Sequence, residues 1–215
     1  MSKAVMLSIR PQWCQKIASG EKTIEVRKTK PKLETPFKCY IYCTRDKHLA
    51  FMQNQTGTNL IACMDVDAAI SVGGAIGNGK VIGEFTCDRI YKIDKDSTDF
   101  LFKAGRLSVY KQAAEEKCGL CVAMKDDELH GYLGHCQGYG WHISGLKIYD
   151  VPKILGEFFP VCRYKNDDGT CPSRRVACSY QKYDYNPDGS FNLVECGRTL
   201  ERPPQSWCYV DDVNV

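Results

Sequence analysis

"SGEKTIEVRK", Ser19 to Lys28, carries five charged residues in ten, with Ile24 and Val26 as its clearly apolar side chains. From Thr23 to Arg27 polar and apolar residues alternate strictly, as expected of a β-strand whose successive side chains point to opposite faces. Ile24 and Val26 take one face; Thr23, Glu25 and Arg27 take the other. Taken alone, that pattern describes a solvent-exposed charged face whose cross-strand ion pairs are each worth little.

Working outward, "AVMLSI" (Ala4–Ile9) is a buried strand by its unbroken apolar content. In "RPQWCQKIASG", Pro11 suits a first helical position, Trp13, Ile17 and Ala18 share a face, and Gly20 closes the helix. After a Lys/Pro-rich connection, "KCYIYCT" is a further strand. "KVIGEFTCDRIYKI" (Lys80–Ile93) reads as one long strand with a bulge or bend at Gly83. "STDFLFKAGRLSVYKQAAEEKCGL" opens on a Ser97 or Thr98 cap and predicts a helix. His130 and His135 fall in an expected loop, and a final strand spans His142 to Tyr149. Residues 44–79 mix apolar patches with Gly and Asn and are expected to be an insertion. Together these elements predict an α+β fold, a small β-barrel with a helix over one opening. From Phe159 the composition shifts, which divides the chain into a domain at residues 1–158 and a Cys-rich extension at 159–215.

Net charge is +3, too mild to indicate a polyanion partner by itself. Its distribution is more informative. Residues 1–50 hold eleven Lys or Arg against four acids, while both later portions are slightly acidic. Any polyanion should therefore dock near the opening stretch. No run of eighteen apolar residues and no cleavable leader pattern is present, so a cytoplasmic protein without a membrane partner is expected. The thirteen cysteines are then read mainly as reduced thiols. Cys118 and Cys121 form the one CxxC pair, with no βαβ context to make it a redox site.

The segments "LSIRPQWCQKIASGEKTIEVRK", "GKVIGEFTCDRIYKI" and "GYGWHISGLKIYDVPKILGEF" resemble an ASCH domain, a branch of the PUA-like β-barrel superfamily. That family's glycine-x-lysine-x-x-glutamate-x-arginine pattern is met by Gly20, Lys22, Glu25 and Arg27, and the resemblance spans roughly residues 3–157. It implies a cleft between the first helix and the barrel that binds RNA or a modified nucleoside. Lys22 and Arg27 would then face phosphates or a base, Glu25 would accept from an amine or hold Arg27, and Arg10 would extend the basic surface. Trp141, with Tyr139, is an expected stacking residue and His142 an expected fourth member of the site. The resemblance also brings an enzymatic alternative at the same cleft, with Lys22 and Glu25 as catalytic residues. This would be an amidohydrolase on N4-acetylcytidine or a ribonuclease. One ASCH branch places a threonine where Glu25 stands here, and that departure argues against amide hydrolysis.

The extension supplies Cys162, Cys171, Cys178, Cys196 and Cys208 without CxxC spacing. A tail poor in aliphatic residues either packs on the barrel or is stapled by a metal. A structural zinc on Cys162, Cys171, Cys178 and Cys208, with Cys196 as alternative ligand, stands beside packed free thiols and disulfides. The cleft itself is expected to need no cofactor, and oligomeric state is not legible.

Overall fold

Ala4 to Ile9 are buried without a gap, so the strand that carries them must be covered on both faces. The structure, a computed structural model, describes residues 3–53, 60–63, 75–93, 100–103, 106–109, 123–124, 126–134, 137–162, 181–196 and 198–212. Its first half runs β1 (Lys3–Ile9), α1 (Pro11–Ala18), β2 (Ile24–Arg27), β3 (Phe37–Cys43), β4 (Ala50–Gln53), β5 (Leu60–Cys63), β6 (Ala75–Ile76) and β7 (Val81–Cys87). It continues through β8 (Ile90–Ile93), β9 (Phe100–Lys103), β10 (Arg106–Val109), α2 (Asp126–Leu133), β11 (Gly138–His142) and β12 (Ser144–Lys153). A 3-10 turn at Leu155–Glu157 precedes β13 (Gln181–Tyr185), β14 (Phe191–Cys196) and β15 (Trp207–Asp211).

The main sheet has five strands in the order β12-β7-β3-β1-β15. β1 pairs in parallel with β3 and antiparallel with β15. Val5, Leu7 and Ile9 point to one side, where Cys14 and Ile17 of α1 and Trp141 of β11 complete the principal core. Ala4 and Met6 point to the other, against Tyr40, Tyr149, Leu155 and Phe158. A second sheet, β2-β11-β8, lies where the chain turns two corners. β7 gives way to β8 after Asp88 and Arg89, and β11 gives way to β12 at Ile143. The corners are tied together by the His142 amide on the Arg89 carbonyl, 2.9 Å, and by Ile143 N–H on Thr23 C=O, 2.8 Å. The result is an α+β, barrel-like fold in which the described sheets do not close. Among the described residues no helix is long and apolar enough to cross a membrane.

Several expectations are met to within about one residue: β1, α1 and β2 lie where the sequence places them. Gly20, at φ +77°, takes the left-handed conformation that ends α1. At Gly83 a Cβ would lie 2.4 Å from the Lys147 carbonyl, so β7 and β12 approach more closely than a side chain permits. Other expectations need correction. Lys80–Ile93 is two strands in different sheets, broken at Asp88–Arg89. The helix expected from residue 97 onward is contradicted at 100–103 and 106–109, where β9 and β10 pair antiparallel. Residues 110–122, and residues 54–59 and 64–74 of the insertion, lie outside the described residues. His130 is in α2 rather than a loop, and His135 falls outside the described residues. The extension's last strand, β15, is a full member of the main sheet.

Candidate functional site

The charged face of β2 is not exposed. Lys22 is 2% accessible and Glu25 and Arg27 are 6% each. Ile24 and Val26 do turn the other way, into a small core with Tyr91, Ile93, Leu129 and Leu133. The alternation was therefore read correctly, but its polar side is covered by α1, α2 and the approach to β15 instead of water.

Those elements enclose a cleft of about 580 Å³, lined among others by Arg10, Trp13, Lys22, Glu25, Arg27 and Tyr132. Three cations meet two carboxylates there, because Glu128 also lines it. Glu25 is the hub. Its Oε1 accepts from Arg27 Nη2 at 2.9 Å and its Oε2 lies 3.6 Å from Lys22 Nζ. Lys22 Nζ also stands 5.3 Å from the centroid of the Trp13 ring, within reach of a cation–π attraction. Arg27 ties β2 to β1 and to the residue that precedes β15. Nη2 donates to the Ser8 carbonyl of β1 at 2.8 Å, and Nη1 reaches the carbonyl and hydroxyl of Ser206 at 3.4 Å each. Its Nε has no hydrogen-bond partner among the described residues.

Tyr132 stands on α2 beside Arg27. Burial pushes its phenol above the ordinary tyrosine value, and the Arg27 guanidinium partly offsets that rise. The hydroxyl is thus a proton donor throughout the neutral range. Arg10 is exposed, at the residue before α1, and forms part of the cleft's lip.

The structure brings together Arg10, Lys22, Glu25 and Arg27. Trp141 and His142 are elsewhere. Trp141 is fully buried between Phe37 and Trp207, at ring-centroid distances of 5.7 and 6.0 Å, so no base can reach its face. His142 pairs through Nδ1 with Asp88 Oδ1 at 2.6 Å, at the corner between the sheets. Neither residue lines the cleft. Sequence reading missed Ser8, Tyr132, Gln205 and Ser206, all of which do. Ser206 stands 179 positions from the arginine it contacts, and no local pattern announces such a partner.

Of the proposed zinc ligands, Cys171 and Cys178 lie outside the described residues, and only the strand position of Cys196 in β14 is described. Cys162 and Cys208 are free thiols, and burial pushes Cys208 up to about 11. Among the described residues no group of three His, Cys, Asp or Glu is placed to hold a metal.

No protein-family model matches the chain. No curated protein matches it either. Among solved structures, the chain is similar to crystal structures of an ASCH protein from Zymomonas mobilis. For the protein titled simply ASCH, identity is 14%, coverage is 89% of this chain and 87% of that one, and the TM-score is 0.35. For a tyrosine-to-phenylalanine mutant the values are 13%, 91%, 93% and 0.38. For a serine-to-alanine mutant they are 16%, 69%, 70% and 0.36. ASCH is also the family whose signature Gly20, Lys22, Glu25 and Arg27 resemble.

Proposed function

We propose that the chain is an ASCH-type protein whose cleft binds RNA or a modified nucleoside. The observation that supports this is the buried Lys22–Glu25–Arg27 cluster lining an open cleft between aromatic side chains. Buried charge is costly to maintain, and where it lines a concave site it marks a candidate point of ligand contact. The volume falls within the roughly 300–1,000 Å³ typical of small-molecule sites. It suits one nucleoside and not a folded polymer. Trp13 and Tyr132 offer apolar faces, Lys22 a donor, and Tyr132 a phenolic hydrogen.

Binding is favoured over hydrolysis by the state of Glu25. Both of its oxygens already face cations, Arg27 on one side and Lys22 on the other. A general base for water would have to take a proton on an oxygen that Arg27 or Lys22 already faces.

The test is equilibrium binding of the full chain to N4-acetylcytidine, cytidine and a panel of short RNAs, with chromatography of each mixture afterwards. The wild type should bind at least one of them and leave it intact. Tyr132→Ala, a change at a partly exposed position, should weaken that binding about tenfold, since one stacked aromatic is worth about 1–3 kcal/mol. Turnover that disappears in Glu25→Gln would replace the binding reading with a hydrolase. No binding and no turnover would remove both.

A further inference from the structure

Beyond the cleft, the chain continues from Arg27 straight into "KTKPK", Lys28 to Lys32, a stretch with no acidic residue. Lys28, Lys30 and Lys32 are exposed while Pro31 is buried, so the segment is seated on the protein with its three lysines accessible to solvent. Two hydrogen bonds with β15 pin it. Trp207 Nε1 donates to Thr29 Oγ1 at 3.0 Å, and the Lys32 amide donates to the Tyr209 hydroxyl at 2.7 Å. Aromatic rings alternate with the lysines. Lys28 Nζ lies 5.4 Å from the centroid of Tyr132, which itself lines the cleft, and Lys30 Nζ lies 5.8 Å from that of Tyr139. Tyr139 is the residue paired with Arg27 across β2 and β11, so the run from cleft floor to lysine segment is unbroken.

We propose that Lys28, Lys30 and Lys32 form a phosphate-holding track continuous with the cleft, so that the ligand is single-stranded RNA presenting one nucleotide to the cleft. The inference rests on the reading of the cleft as a nucleoside site and adds to it the class of molecule that carries the nucleoside. A free nucleoside has no phosphate and gains nothing from three exposed cations. A strand that splays one base into a pocket needs its flanking phosphates held, and fixed ammonium groups beside aromatic faces do that. A duplex would first have to unpair the base.

The experiment compares wild type with the Lys28→Ala/Lys30→Ala/Lys32→Ala triple variant and with a triple lysine-to-arginine variant. Fluorescence anisotropy follows a labelled single-stranded RNA panel across a KCl series, and calorimetry follows the free nucleosides in parallel. The alanine variant should lose at least tenfold in RNA affinity near physiological salt. Its log K against log salt slope should shrink by roughly 2, at about 0.7 per phosphate contact on a single strand. The arginine variant should restore both, and nucleoside binding should not change. Equal RNA affinity and slope in wild type and alanine variant would overturn the track and leave the cleft reading standing. So would a wild type that binds nucleosides but no RNA. A triple variant that loses RNA binding while Tyr132→Ala does not would support the track and overturn the cleft reading. Binding of neither ligand class would overturn both.

Discussion

Arg27 and Lys28 are chain neighbours, yet they divide two charged stretches that the fold treats in opposite ways. From Lys22 to Arg27 every charge is buried; from Lys28 to Lys32 every charge is exposed. Their charge densities are similar, so density does not decide the outcome. The difference is Glu25. The first stretch contains a carboxylate placed between its two cations, and the second contains cations alone. Removing an ion from water costs several kcal/mol unless a counter-charge and hydrogen bonds replace the hydration. Only the stretch that carries its own counter-charge can be covered by α1, α2 and the approach to β15.

The sharpest way to break this comparison is to remove the counter-charge. Glu25→Ala leaves the buried Lys22 and Arg27 without the carboxylate that pairs with both, and loss of one partner from a buried pair costs about 3–5 kcal/mol. Urea denaturation should show a loss of that size, with Glu25→Gln falling between it and wild type because the amide still accepts from Arg27. A loss below about 1 kcal/mol, the range of exposed pairs, would mean that the cleft hydrates its cations freely. The two stretches would then differ only in appearance.

A smaller effect tests what covers the first stretch. Ser206 reaches Arg27 through its carbonyl and its hydroxyl, and the carbonyl also accepts from Ser8 N–H at 2.9 Å. Ser206→Ala removes only the hydroxyl contact and should cost about 0.5–1.5 kcal/mol, the net worth of one hydrogen bond. Thermal unfolding of the two proteins measures this directly. If the change also alters ligand affinity while stability is unchanged, Ser206 acts on the ligand and not only on Arg27.

The same contrast explains what could be read from the sequence. β1, α1 and β2 were legible because each is local: an unbroken apolar run, a proline at the first helical turn, a strict alternation. That Glu25 and Arg27 share a strand face, with Lys22 on the turn before it, was legible from their spacing; that they line a cleft was implied only by the resemblance to the ASCH signature. What could not be read was their burial. That depends on Ser206 and on Tyr132, which are remote in sequence and carry no periodic signal. Trp141 misled for a related reason. An aromatic residue at a strand end has the same local pattern whether it faces a cleft or the core, and here Phe37 and Trp207 claim it for the core. The broken strand at Asp88–Arg89 failed likewise, since a corner between two sheets leaves the apolar pattern of each half intact.

The smallest expected effect is the most exacting test of the second stretch. If Lys28, Lys30 and Lys32 are held outward for a ligand, they should contribute almost nothing to the folded state of the free protein. Two terms bear on this. The contacts with Tyr132 and Tyr139 are exposed cation–π pairs, each worth about 0.5–1 kcal/mol. Against them stands the mutual repulsion of three like charges within five residues, which their removal relieves. The triple alanine variant should therefore unfold within about 1 kcal/mol of wild type, as surface substitutions away from buried features usually do. Its stability should also respond to salt no more than wild type does, because screened surface charges carry little energy in either protein. A loss of several kcal/mol would show that the lysine stems hold the segment onto β15. The lysines would then belong with Glu25 and Arg27 as structure, and the boundary at Lys28 would disappear.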